Sequence, residues 1–152
     1  MNNQLIRTAI FPGSFDPITQ GHLDIIKRAS NMVDTLFVAV LQNEEKTCLL
    51  SLSERISKIK KATNNIPNIQ IISFEGLLTD CMRAIKTQYI IRSIRNVQDY
   101  EYEKQMEQIY KSQNSDIECI YILADPQLAH ISSTVTKQLI KLRGNTKDYE
   151  ID

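Results

Sequence analysis

Tryptophan is absent from this 152-residue chain, and glycine and proline occur only four times each. No internal repeat, low-complexity tract or linker breaks it up. Cysteine is scarce too: Cys48, Cys81 and Cys119 are odd in number and far apart, with no CxxC pair. That pattern argues against a disulfide framework or a zinc knuckle and fits a reduced, cytoplasmic setting. Neither sign of charge is in excess, since 18 Lys and Arg face 18 Asp and Glu. Bulk charge therefore makes no case for nucleic acid or a membrane surface, and any anionic ligand must be held by a local cluster of cations. No apolar run approaches the roughly 20 residues of a membrane span. The opening "MNNQLIRTAIF" lacks the basic segment and long apolar stretch of a signal peptide.

Five apolar runs rich in β-branched residues are present at 5–11, 35–41, 69–74, 89–94 and 118–123. Segments with helical spacing lie between and after them, at 21–33, 51–65, 77–87, 97–112 and 132–145. The second opens with a Ser-x-x-Glu capping box, Ser51 to Glu54, and the last ends near Gly144, a C-cap candidate. Strand and helix alternating in this way predict an α/β fold. It should be a Rossmann-like, doubly wound, five-stranded parallel sheet with helices on both faces, spanning 1–152 as one domain. Ligands in such sheets sit beyond the carboxyl ends of the strands, where strand order reverses. The unusual residues, at 12–22, 42–47, 92–95 and 124–134, fall at those ends.

Half of the glycines and one of only two histidines lie in "PGSFDPITQGHLD", 12–24. Pro12-Gly13 should end the first strand, with Gly13 free to take positive φ and to let a ligand approach the backbone. Ser14 offers a hydroxyl and an amide, and Pro17 stiffens the loop. Gly21 and His22 fall in the first turn of a helix, where free amides attract anions and the dipole disfavours a charged imidazole. A structural corner with a hydrogen-bonded histidine would use the same residues. Lys46 follows the second strand. Arg92 and Arg95 leave a very apolar strand, where an arginine needs an anion, either an intramolecular carboxylate or a phosphate. "HISSTVTK", 130–137, places hydroxyls and amides at another helix start, as a cap or a phosphate cradle. No Ser-His-Asp or Cys-His set and no metal-ligand cluster is evident. Donors without a nucleophile suit phosphoryl or nucleotidyl transfer between two bound substrates.

In order along the chain stand Pro12-Gly13-Ser14-Phe15-Asp16-Pro17, Thr19-Gln20-Gly21-His22, Asp24, Lys46, Ser53-Glu54-Arg55, Ile91-Arg92-Ser93-Ile94-Arg95, Asp99-Tyr100-Glu101-Tyr102-Glu103 and Ile131-Ser132-Ser133-Thr134. Through these the sequence resembles the bacterial phosphopantetheine adenylyltransferases of the HxGH nucleotidyltransferase superfamily, over nearly its whole length. Thr19 stands where most of that superfamily has the first histidine. The resemblance implies transfer of the adenylyl group of ATP to 4′-phosphopantetheine, giving dephospho-coenzyme A and pyrophosphate, with Mg²⁺. It implies catalytic roles for His22, Lys46 and Arg92, and acceptor binding by Ser14, Lys46, Leu78 and Arg92. ATP would be bound by Ser14, Phe15, His22, Ser93, Ile94, Arg95, Glu103, Leu128, Ala129, His130, Ile131, Ser132, Ser133 and Thr134. It also implies a cytoplasmic homohexamer inhibited by coenzyme A.

Ser93, Tyr110, Gln138 and His130 depart from the family pattern, at positions usually Gly, Asn, Glu and aromatic. The chain also ends short of the C-terminal helix usual in the family. Two other readings share the residues: a related transferase with another acceptor, such as a pyridine mononucleotide, and a nucleotide-binding module without catalysis. A transferase of the first kind normally has histidine where Thr19 stands. The second would not need His22, Lys46 and Arg92 together.

Overall fold

A computed structural model describes residues 7–43, 45 and 47–151. In chain order the elements are β1 (Thr8–Gly13), α1 (Gln20–Ser30), β2 (Thr35–Gln42), α2 (Leu52–Ala62), β3 (Ile69–Glu75), α3 (Leu78–Ala84), β4 (Tyr89–Ile94), α4 (Val97–Gln113), β5 (Glu118–Leu123) and α5 (Ser133–Lys141). The strands form one sheet in the order β3-β2-β1-β4-β5, with every pairing parallel. Successive strand residues face opposite sides, so each apolar run feeds two cores. Ala9, Phe11, Leu36, Val38 and Ile91 pack on one side with Ile25 and Ile26 of α1 and Ile59 of α2. Ile10, Ala39 and Ile90 pack on the other with Met82 of α3 and Tyr110 of α4. This is the doubly wound arrangement expected from the alternation. No described helix is long and apolar enough to cross a membrane.

The site originates in an uneven pairing of β1. Toward β2 its register runs from Thr8↔Thr35 to Gly13↔Val40. Toward β4 it covers only Ala9↔Tyr89 and Ile10↔Ile90. Pro12 has no N–H to offer the ladder, and its carbonyl instead accepts from Arg92 Nη1 at 3.0 Å. The strand order reverses at this same β1/β4 boundary, so the crevice opens where two strands stop pairing.

Helix ends follow local chemistry, and four of them fall short of the sequence reading: α2 ends at Ala62 rather than 65, α3 at Ala84 rather than 87, and α1 and α5 stop early as well. The Ser51–Glu54 capping box forms at α2: Ser51 N–H donates to Glu54 Oε2 at 2.8 Å and Glu54 N–H to Ser51 Oγ at 3.3 Å. Helix α1 stops at Ser30 rather than Val33, because Asn68 Nδ2 donates to the carbonyls of both Ser30 and Val33. Helix α5 ends at Lys141 in a Schellman motif, Arg143 N–H to Ile140 O and Gly144 N–H to Leu139 O. Arg143, at φ 56°, takes the left-handed position, so Gly144 stands one residue beyond the place expected of it.

Candidate active site

Gly13 stays within β1, and its need for a missing side chain is spatial: an added Cβ would lie 3.1 Å from Cε2 of Phe15. The positive φ expected of Gly13 falls instead on Phe15, at 48°. Phe15 turns beneath the loop and is buried, with its ring centroid 5.0 Å from that of His22 and 5.7 Å from that of Phe11. The loop thus leaves Ser14 exposed at the strand mouth and seats His22 on an aromatic floor.

Two cavities open on this mouth. The first, about 460 Å³, is polar and takes in His22, Asp24, Arg92, Ser93, Arg95, Asp99, Glu103, Asp125, Leu128 and Ile131 to Thr134. The second, about 390 Å³, is largely apolar and takes in Leu41, Phe74, Leu77, Leu78, Met106, Ile109 and Tyr110, together with Asn43, Cys48 and Gln113. They share the wall formed by Pro12, Gly13, Ser14, Arg92 and Tyr102. Arg92 is the one charged side chain lining the second cavity among the described residues, and it stands on the shared wall.

His22 has a defined tautomer. Thr19 caps α1, and its backbone N–H donates to His22 Nδ1 at 3.0 Å. A neutral ring that accepts on Nδ1 carries its proton on Nε2, which leaves that N–H as the ring's donor for a ligand. Burial, then the positive charges of Arg95 and Arg92, push the imidazole from its ordinary 6.5 down to about 4. The unfolded chain therefore binds a proton between about 6.5 and 4 that the folded chain refuses. Stability from this group is complete above that window and declines as pH falls through it. NMR titration of the His22 ring in the free protein is expected to give a midpoint near 4; a midpoint near 6.5 would contradict the environment described.

Each arginine at the polar cavity is held by a carboxylate. Arg92 donates Nε and Nη2 to the two oxygens of Glu103, at 2.9 and 2.6 Å. Burial opposes the guanidinium charge, and Glu103 more than reverses that. Arg95 donates Nε and Nη2 to Asp99 at 2.9 and 3.1 Å. Of the two anions weighed for these arginines, the folded chain supplies the carboxylates itself. The guanidinium forks are thereby pinned, with N–H donors still available.

Asp16 locks this corner to the rest of the fold. Its buried carboxylate accepts from Leu49 N–H and Leu50 N–H, both at 2.8 Å, and from Lys137 Nζ at 3.2 Å. Burial raises its pKa, but the two amides and Lys137 outweigh this and hold it below the ordinary 3.8. The resulting stabilisation is present above 3.8 and is lost as pH falls below it. Asp16→Asn is expected to destabilise the fold by about 2–4 kcal/mol in urea denaturation at neutral pH; a loss below about 0.5 kcal/mol would contradict this role.

Most of the site residues expected from the sequence reach one of the two cavities. Phe15, Ile94, Ala129 and His130 do not line them: Phe15 and Ile94 are buried, and the exposed His130 ring packs edge-on against Tyr149 at 5.5 Å. Glu103 lines the polar cavity with its carboxylate engaged by Arg92. Ser132 caps α5 by accepting from Val135 N–H, and Ser133 Oγ donates to Pro17 O at 2.8 Å. Lys46 lies outside the described residues. Sequence reasoning missed Asp16 and Arg55 as anchors, Asp125 on the polar wall, and most of the apolar cavity. Arg55 did leave a signal, because it falls on the buried stripe of α2 with Leu52, Ile56 and Ile59.

Among the described residues no three His, Cys, Asp or Glu side chains gather to hold a metal ion. The polar cavity is lined by two arginines against the carboxylates of Asp24, Asp99, Glu103 and Asp125. Asp24, Asp99 and Glu103 are tied to Arg28, Arg95 and Arg92. Such a donor set does not make a resident metal cage, although its charge suits a polyanion that carries a divalent cation with it.

The sequence matches the cytidylyltransferase-like family model over residues 10–139. It is 41% identical to a phosphopantetheine adenylyltransferase of Caldanaerobacter subterraneus subsp. tengcongensis, covering 97% of this chain and 92% of that protein. It is 46% identical to a protein of the same name from Nautilia profundicola, covering 90% and 89%. With another from Clostridium novyi the identity is 45%, covering 91% and 86%. In fold it is similar to the crystal structure of a candidate nicotinate-nucleotide adenylyltransferase from Vibrio parahaemolyticus, with TM-score 0.66 at 14% identity over 96% of this chain and 87% of that one.

Proposed function

The chain belongs to the cytidylyltransferase-like family and, within it, to the phosphopantetheine adenylyltransferases, and from that premise we propose how its two cavities carry out the reaction. The enzyme transfers the adenylyl group of ATP to 4′-phosphopantetheine, a step of coenzyme A biosynthesis. ATP occupies the polar cavity. The acceptor places its phosphate at the shared wall and its long uncharged arm in the apolar cavity. The carrying observation is that Arg92, standing on the wall common to both cavities, is the one charged side chain among the described residues lining the second. That pattern matches a molecule with a phosphate at one end and a neutral chain behind it.

One oxygen of the acceptor phosphate attacks the α-phosphorus of ATP. The bond from that phosphorus to the oxygen bridging the β-phosphate breaks, and pyrophosphate leaves with the electron pair. No enzyme nucleophile takes part. Two anions must meet, so fixed donors supply the catalysis. Ser14, Lys46 and Arg92 hold the acceptor phosphate. His22 donates Nε2–H to an α-phosphate oxygen. Ser93, Arg95, Leu128 and the segment from Ile131 to Thr134 bind ATP, with Phe15 and Glu103 supporting His22 and Arg92. Where Mg²⁺ accompanies ATP it would supply neutralising charge to the polyphosphate, and the carboxylates of the polar wall, Asp125 among them, would face it.

The product spans both cavities, as would coenzyme A, which supports inhibition by either. Val97 and Tyr100 expose apolar surface on α4 outside both cavities, which supports self-association, and the homohexamer is the assembly that the resemblance implies. The setting proposed is cytoplasmic. Pyrophosphate release tests the reading: ATP with 4′-phosphopantetheine should turn over, and replacing the acceptor by nicotinate mononucleotide or ATP by CTP should lower kcat/KM by at least about 10². Comparable turnover with the mononucleotide would overturn it.

A further inference from the structure

Arg55 of α2 is only 3% exposed, yet it forms no ion pair among the described residues. Its Nη1 donates to Ser14 O at 2.8 Å and to Leu41 O at 3.0 Å, and its Nε is buried with no hydrogen-bond partner. A buried cation satisfied by two neutral carbonyls is an expensive way to tie two loops together. Its position suggests what it serves. Ser14 lines both cavities on their shared wall, and Leu41 lines the apolar one. The guanidinium therefore lies directly behind the place where the acceptor phosphate meets the protein.

We propose that Arg55 is a positioning residue for the acceptor phosphate: it fixes the ends of β1 and β2 through their carbonyls and lends the shared wall a buried positive charge that selects a phosphorylated acceptor. This rests on the placement of the acceptor phosphate given above. Arg55 touches neither substrate. It acts by holding the Ser14 peptide so that its hydroxyl and amide face the phosphate, and by a field little screened by solvent. The loop after β2 is then anchored at its start by Arg55 and near its end by Asp16, through Leu49 and Leu50.

The test compares binding of 4′-phosphopantetheine, of pantetheine lacking the phosphate, and of ATP, by calorimetry on the full chain. In the wild type the phosphorylated ligand should bind at least about tenfold tighter than pantetheine. Arg55→Met keeps the packing volume and removes the charge. It should cut that preference about tenfold, with ATP affinity within about twofold and a folded protein whose unfolding midpoint falls only as far as the loss of two hydrogen bonds requires. Arg55→Lys should retain most of the preference. If Arg55→Met does not fold, Arg55→Gln carries the same expectation, and failure of both to fold while Arg55→Lys folds would assign Arg55 to folding and overturn the proposal. An unchanged phosphate preference in a folded Arg55→Met, or equal weakening of ATP and acceptor, would overturn it as well. A wild type with no phosphate preference would instead overturn the placement of the acceptor.

Discussion

His22→Ala is expected to lower kcat by about 10³ while leaving ATP affinity and folding nearly intact. The ring is neutral at physiological pH, since its pKa lies near 4, and Thr19 holds its Nδ1. The remaining N–H is a donor that needs no reorganisation as charge builds on the α-phosphate. Other donors bind the ground state of ATP, so the loss should appear in kcat rather than in KM. Truncation removes ring contacts with Phe15 and Phe11, at centroid distances of 5.0 and 6.4 Å, and the hydrogen bond that Nδ1 accepts from Thr19 N–H, a loss of about 1–2 kcal/mol that leaves the fold in place. The variant should also lose the acid sensitivity that a neutral, half-buried imidazole imposes between 6.5 and 4. Steady-state kinetics with a thermal melt at pH 7 and at pH 5 checks both parts. A KM effect with unchanged kcat would place His22 in binding alone.

Arg92→Met should harm both folding and turnover, and the two losses can be separated. It leaves the Glu103 carboxylate, 6% exposed, without its cation. Breaking a buried pair in this way costs about 3–5 kcal/mol. Arg92 is also the shared-wall cation, so kcat/KM should fall by about 10²–10³. Adding Glu103→Gln removes the stranded charge. Arg92→Met/Glu103→Gln should therefore recover most of the stability and none of the activity. Recovery of both together would mean that Arg92 acts only through folding. Urea midpoints and initial rates on the three proteins decide between these outcomes.

Most of the fold was legible because its signals are local. Each strand is an apolar, β-branched run, and Ser51 with Glu54 marks the start of α2 within four residues. Boundaries failed where a distant residue intervened. Asn68 ends α1 from outside the helix, and nothing near Ser30 announces it. The left-handed residue after α5 is Arg143 although Gly144 is adjacent, because the hydrogen bonds of the Schellman motif fix the register. In the site, the residues with chemistry at the strand ends could be read from composition and order. Their partners could not. That Glu103 closes on Arg92, and Asp16 on Leu49, Leu50 and Lys137, depends on crossovers that place separate segments side by side. The apolar cavity was the least legible feature, since Phe74, Leu77, Met106 and Ile109 have the same pattern whether they line a ligand site or a core.

The most direct measurement is a crystal structure of the protein with 4′-phosphopantetheine and a non-hydrolysable ATP analogue bound together. The two-cavity mechanism predicts the acceptor phosphate against Ser14 and Arg92, its arm running past Leu78 and Met106, and the α-phosphate of the analogue within hydrogen-bond reach of His22 Nε2. An acceptor phosphate bound away from the Pro12–Ser14 wall, or an arm lying in the polar cavity beside Asp125, would contradict it.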